Sequence, residues 1–251
     1  MRRGLKIFLG IIGVLAAAGL LFWLVFPGLP MYLLTNRLCS YRDTVLGEYP
    51  YAALGTPEKS RLLTEYGLQL TVPEGVEPVN KKTSLKIYTN KDNTAGDEAV
   101  IAIAFIDHSD TPDMELIGEK GFTQEDFDRG MRGIRRKKPE NNYECWDMIY
   151  NLVPAEYNYH KHGTGKFYLQ VMKMKEELYP SVGEKGYHFE NDTAKGFVLE
   201  YGKPDGESKN YALLIELYGK DNLNRCHGAI IKSEDYDILK QIANSARVVP
   251  E

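Results

Sequence analysis

Hydrophobic residues follow two unlike patterns along the chain. Ile7 to Phe26 form an unbroken apolar run of twenty residues, and no charged side chain lies between Lys6 and Arg37. As a helix rising about 1.5 Å per residue, this run spans roughly 30 Å, the thickness of a bilayer's hydrocarbon core. Pro27 then stops the helix. Beyond residue 36, apolar and polar positions mix as they do in a globular domain.

The apolar run has several interpretations. A cleaved signal peptide has a shorter apolar region followed by a small-x-small cleavage site, which residues 26–34 do not offer. A lipoprotein signal would use Cys39, but Asn36, Arg37 and Leu38 before it are not the small residues expected there. A buried core helix of wholly apolar residues is rare in a domain of this size. The pattern therefore favours an uncleaved anchor that contacts the membrane through residues 7–26.

Basic residues on either side of the run predict its orientation. Arg2, Arg3 and Lys6 precede the run, whereas Arg37 and Arg42 follow it together with acidic residues. By the positive-inside rule, the N-terminus is cytoplasmic and the C-terminal domain is extracytoplasmic. The two sides of the run differ only slightly in their number of basic residues, so the reversed topology with a cytoplasmic domain is the alternative.

The periodicity after the anchor predicts strands, then helices, then strands again. Alternating or apolar runs predict strands over 68–72, 84–89, 99–106, 185–190, 195–201, 211–218 and 225–232. Helical spacing and capping residues predict helices over 56–63, 123–138, 142–153, 164–178 and 233–246. Thr123 and Ser233 are the expected N-caps of two of them. The run 99–106 is apolar on both faces, which predicts a central strand covered on each side.

This segregated order predicts an α+β fold: an N-terminal transmembrane helix, then one domain whose antiparallel sheet is packed by helices. The predicted divisions are 1–35 for the cytoplasmic tip and anchor, 36–65 for a connector and 66–251 for the extracytoplasmic α+β domain.

Charge and cysteine content restrict the function of this domain. Without the three basic residues of the tip, 28 basic residues stand against 35 acidic ones, a net charge of −7. Such a balance argues against nucleic acid as a partner. Three cysteines, Cys39, Cys145 and Cys226, are too few for a disulfide framework. A Cys145–Cys226 bridge and isolated buried thiols are both compatible with the sequence.

Several short motifs in the second half of the chain resemble a pattern in uncharacterised membrane-anchored proteins of Firmicutes. The motifs are Tyr143-Glu144 through Ile149-Tyr150-Asn151 to Pro154, then Lys175, Gly196-Phe197 to Tyr201-Gly202, and Ser233 through Ile242 to Ser245. The order of elements, closing on a helix with Asn244-Ser245, is similar to the PsbP/Mog1/DcrB-like α+β fold. These resemblances imply a fold and a membrane address, and they supply no catalytic residues.

A cluster of basic residues is the one candidate contact site. It comprises Arg129, Arg132, Arg135, Arg136, Lys137 and Lys138. It suits contact with an anionic surface such as lipid headgroups or wall polymers. The alternative is a solvated helix face whose positive charges complement the helix C-terminus.

Three other groups suggest catalysis or metal binding only weakly. His160 and His162 lack a third ligand nearby, and zinc sites need at least three protein ligands. The segment 107–110, Asp-His-Ser-Asp, has the residue types of a catalytic triad. Adjacent side chains in an extended segment point apart, so the sequence favours a polar turn at the end of the strand instead. Cys145 and a distant histidine could form a nucleophilic pair. Because Cys145 lies beside Trp146 on the apolar face of the predicted helix, the sequence favours a small buried side chain without a catalytic role. We therefore assign no catalytic, cofactor-binding or metal-ligating residue.

The sequence thus predicts a membrane-anchored extracytoplasmic binding or interaction module whose ligand is unknown. The partner would be an envelope polymer or another membrane protein. The alternative is a cell-envelope hydrolase or transferase whose site is assembled from scattered residues.

Overall fold

The protein has a mixed α and β architecture. The computed structural model describes residues 2–50, 54–79, 85–91, 100–108, 122–181, 185–201 and 211–250. The helices are α1 (Arg2–Val25), α2 (Leu29–Leu38), α3 (Gln124–Met131), α4 (Asn142–Asn151), α5 (Gly165–Ser181) and α6 (Tyr236–Asn244), with a 3-10 turn at Pro154–Glu156. The strands are β1 (Gly47–Glu48), β2 (Ser60–Glu65), β3 (Leu68–Pro73), β4 (Glu77–Pro78), β5 (Lys86–Thr89), β6 (Ile101–Ile106), β7 (Lys185–Glu190), β8 (Ala194–Tyr201), β9 (Tyr211–Gly219), β10 (Asn222–Ser233) and β11 (Arg247–Val248).

These elements belong to two compact units. One, here the helical unit, comprises Met1–Asp43, Ile117–Lys138 and Leu152–Glu176. The other, here the sheet unit, comprises Thr44–Leu116, Pro139–Asn151 and Glu177–Glu251.

An eight-stranded sheet forms the centre of the sheet unit. Its strand order is β1-β7-β8-β9-β10-β6-β5-β4, and every described pair is antiparallel except β1 with β7. The long strands β8, β9 and β10 follow one another as hairpins, with Gly196 opposite Leu217 and Ile215 opposite Ala229. A second sheet, in the order β11-β3-β2, is built from the β2–β3 hairpin and the last strand.

Successive side chains along each strand point to opposite faces of the large sheet. Helices pack against both of these faces. On one face, Ile215 and Ile231 join Leu239 and Ile242 of α6 in a single buried core. On the other face, the Tyr150 ring of α4 lies 5.0 Å from that of Phe197. The prediction of a large sheet packed by helices is therefore confirmed.

The helical unit has its own buried centre. Phe127 of α3, Val171 and Met172 of α5 and Leu152 are all buried. The predicted start of α3 is confirmed: Thr123 is the N-cap and forms a capping box with Asp126. This arrangement satisfies backbone donors that the first helical turn cannot satisfy itself.

Three sequence predictions are wrong. Residues 56–63 were expected to be helical, but β2 begins at Ser60 and pairs with β3, burying Leu63 and exposing Leu62. The helix over 123–138 ends at Met131, where Gly133 bonds back to Gly130 in a turn. The last helix begins after Asp235, whose carboxylate caps α6, and not after the predicted cap at 233.

The predicted central strand is correct in position and partly wrong in its coverage. β6 lies between β10 and β5, inside the sheet. Its side chains alternate between buried and half-buried, so only one face is fully covered. Residue 99 of this prediction lies outside the described residues.

Candidate functional site

Helix α1 presents apolar side chains to its surroundings. Every residue from 11 to 25 is exposed, and Leu15 and Leu20 are 66% and 65% exposed. In the part of the chain that the structure describes, no single helix is long and apolar enough to cross a membrane. One pair of helices, Ile11–Val25 and Leu29–Leu38, whose axes are bent by 75°, meets that criterion together.

An aromatic cluster, here called the collar, lies at the junction of α1 and α2. Its members are Phe26, Tyr32, Tyr157, Tyr159 and Tyr168. Tyr157 and Tyr168 stack with centroids 4.1 Å apart and planes 4° apart. Tyr32 contacts Tyr159 at 5.6 Å, and Phe26 contacts Tyr159 at 6.0 Å. Aromatic rings with a polar end suit a boundary between apolar and aqueous surroundings.

Backbone hydrogen bonds hold the helix junction to the collar. The amide of Gly28 donates to the carbonyl of Tyr159 at 2.8 Å, and Nδ1 of His160 donates to the carbonyl of Val25 at 2.9 Å. A side chain at residue 28 would lie 2.3 Å from the Tyr157 hydroxyl, so glycine is needed there. The collar therefore fixes the direction in which the chain leaves α1.

The helical unit also contains a buried lysine. Lys175 on α5 is fully buried and donates to the carbonyl of Leu152 at 2.8 Å. The pKa of Lys175 is lowered to about 8, chiefly by burial and also by the nearby Arg136, against the opposing effect of Asp43 and Glu156. Two of its acceptors, the carbonyls of Leu152 and Arg42, are backbone atoms, so the lysine joins separate segments of the chain.

The sheet unit contains a cleft beside the β9–β10 hairpin. Its volume is about 360 Å³. Its lining residues are Thr193, Gly219, Lys220, Asp221, Asn222, Arg225, His227, Val248, Val249 and Pro250. The cleft thus combines the basic Lys220 and Arg225 and the acidic Asp221 with an apolar wall of Val248 and Val249. Lys220 forms an ion pair with Glu190 at 2.8 Å, and this hydrogen bond lowers the pKa of Glu190.

His227 connects the cleft to the β2–β3 turn. Its ring is buried, and Nδ1 lies 2.7 Å from the carbonyl oxygen of Tyr66. Since a carbonyl only accepts hydrogen bonds, Nδ1 carries the proton and donates. Tyr66 and Gly67 have φ angles of 50° and 75°, the left-handed region that few side chains adopt. The amide of Val249 donates to the carbonyl oxygen of Gly67 at 2.9 Å. Hydrogen bonds from His227 and Val249 therefore stabilise the β2–β3 turn.

The predicted basic cluster does not form one helical face. Because α3 ends at Met131, the later basic residues follow the helix and lie in other segments. Arg136 pairs with Glu156 at 2.7 Å, and Lys138 pairs with Asp128 at 2.5 Å. Arg129 pairs with Glu125 on its own helix. These acidic partners weaken the positive field that contact with an anionic surface would need.

The remaining predicted groups do not converge into a catalytic or metal site. Over the described ranges, no group of three or more His, Cys, Asp or Glu side chains is placed to hold a metal ion. Burial lowers the pKa of His108, while residues 109 and 110 lie outside the described residues. Cys39, Cys145 and Cys226 are buried, and no disulfide joins Cys145 to Cys226.

Sequence reasoning missed the cleft and the collar for one reason. Thr193, Arg225 and Val249 are separated along the chain and meet only through strand pairing. Tyr32 and Tyr168 likewise meet only through helix packing. The tyrosine content, 17 in all, was the one available signal, and it does not say which rings come together.

No family model matches the chain, and no curated protein matches it. The resemblances to membrane-anchored Firmicutes proteins and to the PsbP/Mog1/DcrB-like fold therefore remain predictions.

Proposed function

We propose that this protein is a single-pass membrane protein whose N-terminus is cytoplasmic and whose extracytoplasmic α+β body is a binding module. Residues 7–26 form the anchor, and the cleft beside the β9–β10 hairpin is the binding site of the module. The proposal extends the sequence prediction by naming this cleft.

The observation that carries the proposal is the exposure of α1. Residues 11–25 are apolar without exception, yet every one of them is exposed. Leaving apolar surface in water costs roughly 25 cal/mol per Å², so this surface needs an apolar environment. A bilayer provides one, and the run from Ile7 to Phe26 has the length to cross it.

Two further features support the anchor and its direction. The collar supplies the half-buried Tyr32 and Tyr159 at the C-terminal end of α1, where an interfacial belt would lie. Arg2 and Arg3 precede the run, which favours a cytoplasmic N-terminus.

The chemistry of the cleft supports binding of a small anionic ligand. Lys220 and Arg225 line the cleft together with the acidic Asp221, Lys220 is also paired with Glu190, and Val248 and Val249 form an apolar wall on one side. Charge-assisted hydrogen bonds from such groups suit a carboxylate or phosphate.

The anchor is tested by fractionation of bacterial cells that express the full chain. Membranes are washed at alkaline pH, and we expect the protein to stay in the pellet. Replacing both Leu15 and Leu20 by Arg should release it, because each charge in the bilayer centre costs about 2.5–3.5 kcal/mol on insertion scales. The matched control replaces the exposed Leu62 and Leu85 of the sheet unit by Arg, and this variant should stay in the pellet. Release of the unaltered protein by the wash contradicts the anchor.

A further inference from the structure

Helix α2 leaves most of its large apolar residues exposed, while its two uncharged polar residues, Thr35 and Asn36, lie on the opposite side with Leu29 and Tyr32. At 3.6 residues per turn, its exposed positions share one arc of roughly 160°. These exposed residues are Pro30, Met31, Leu33, Leu34, Arg37 and Leu38. The opposite arc holds Tyr32, Thr35 and Asn36, and Thr35 is fully buried. A surface helix in water has the reverse arrangement.

The packing of the helical unit fixes which arc faces outward. Tyr32 stacks against Tyr157 and Tyr168 of the collar, with centroids 6.4 and 6.5 Å away. A Cβ atom at Gly165 would lie 2.9 Å from the Met31 side chain, so α2 and α5 approach closely at this edge of the exposed arc, where Met31 is only 38% exposed. The inner arc is therefore occupied by the unit itself, while Leu33 (59% exposed) and Leu38 (52%) point away from it.

The short connection to α1 determines what can cover the outer arc. Only residues 26–28 separate Val25 from Leu29, and three residues reach at most about 11 Å. The two helix axes are bent by 75°. If α1 crosses a bilayer near its normal, α2 begins at the headgroups and runs almost parallel to the surface.

We propose that α2 is an interfacial helix whose outer arc lies in the lipid surface. This inference rests on the proposed anchor and goes beyond it, because it assigns a second membrane contact that holds the helical unit against the bilayer. Amphipathic helices of this kind place their apolar face about 5–10 Å into the boundary between headgroups and acyl chains.

The charges near α2 fit a lipid surface. No acidic residue precedes Asp43 in the chain, and the carboxylate of Glu176, near the end of α2, accepts a hydrogen bond from the amide of Tyr41 at 3.0 Å. Arg37 is on the exposed arc near the C-terminal end of α2, where its long side chain can bring the guanidinium to a phosphate.

The test measures membrane depth with fluorescent labels in the full-length protein. Single cysteines are introduced as Leu33→Cys and Leu38→Cys in α2, Leu15→Cys in α1 and Leu62→Cys in β2. The three native thiols are buried, so an environment-sensitive maleimide labels the added residue. The protein is inserted into vesicles of phosphatidylcholine with a minor share of phosphatidylglycerol. These vesicles carry nitroxide quenchers on the headgroup, near the glycerol or near the chain methyl end.

We expect the labels at 33 and 38 to lose most emission with the shallow quencher, at about 5–10 Å depth. The label at 15 should lose most with the deep quencher, and the label at 62 should lose none. If 15 is quenched deeply while 33 and 38 are not quenched, the interfacial helix is wrong and the anchor stands. If 33 and 38 are quenched deeply, α2 enters the hydrocarbon and the inference is also wrong. If 15 escapes every quencher, the anchor itself is wrong.

Discussion

The ammonium group of Lys175 lies 2.8 Å from the carbonyl oxygen of Leu152, inside the helical unit and out of contact with water. A buried ammonium group is costly, because burial removes the hydration that stabilises its charge, and a backbone carbonyl carries only a partial negative charge. The pKa of about 8 expresses that cost.

The first prediction is a pH dependence of stability that depends on Lys175. The unfolded chain keeps this proton up to pH 10.5, whereas the folded chain releases it near pH 8. The unfolded state therefore binds more protons between these values, and the free energy of unfolding rises with pH there. At 1.36 kcal/mol per pKa unit, the rise is about 3 kcal/mol. Below pH 8 the cost is present in full.

Lys175→Met should remove this dependence. Measured by urea unfolding in detergent micelles, its stability relative to the unaltered protein should be greatest below pH 8 and decline toward pH 10.5. The control is Lys173→Met, an exposed lysine on the same helix, whose difference should not change with pH. A pH-independent difference for Lys175→Met would show that the folded protein keeps Lys175 charged at no cost.

The second prediction concerns the close approach of β8 and β9. A Cβ atom at Gly196 would lie 2.0 Å from the carbonyl oxygen of Glu216 and 2.8 Å from the Cα of Leu217. Because both are backbone atoms of a paired strand, Gly196→Ala should destabilise the fold by about 1–3 kcal/mol or more. Gly55→Ala, where no atom lies within 4 Å, should change stability by less than about 0.5 kcal/mol. Equal unfolding midpoints for the two variants would contradict this account of the sheet.

The third prediction concerns the hydrogen bond from His227 to Tyr66. His227→Leu leaves the Tyr66 carbonyl without its donor and should cost about 1–3 kcal/mol in urea unfolding. His227→Asn places an amide nitrogen near the position of Nδ1 and should recover part of that loss. The two variants losing equal stability would mean that the ring contributes by packing alone.

The fourth prediction concerns the capping box of α3. Thr123→Ala removes the acceptor of the Asp126 amide and should cost about 1 kcal/mol of unfolding free energy. Thr123→Ser keeps the hydroxyl and should lose little. Thermal unfolding followed by circular dichroism distinguishes these outcomes, and an Ala variant as stable as the Ser variant would contradict them.

Local signals in the sequence predicted the parts of the fold whose structure is decided locally. Thr123 and Asp126 form a cap from neighbouring residues alone, and the predicted strand over 185–190 coincides with β7. The segment 56–63 failed because Thr56 and Pro57 resemble a helix start, whereas pairing of Ser60 through Glu65 with β3 prevails. The partner strand β3 begins at Leu68, outside residues 56–63, so this segment alone does not show the pairing that decides its structure.

The candidate sites also differ in whether neighbouring or distant residues form them. The apolar run of the anchor is continuous in the sequence, so its length and flanks could be read directly. The cleft depends on Thr193, Arg225 and Val249 meeting in space, which only the strand register decides. The helix over 123–138 was predicted too long because the end of α3 at Met131 depends on packing.

The central claim, an anchor with a cytoplasmic N-terminus, is tested most directly by thiol labelling in intact bacterial cells. One variant carries Arg3→Cys in the tip and another carries Glu74→Cys on the exposed β3–β4 turn. The native thiols are buried, so the unaltered protein gives the background. We predict that a membrane-impermeant maleimide labels Cys at position 74 in intact cells and Cys at position 3 only after permeabilisation. Labelling of position 3 alone in intact cells would contradict the predicted orientation.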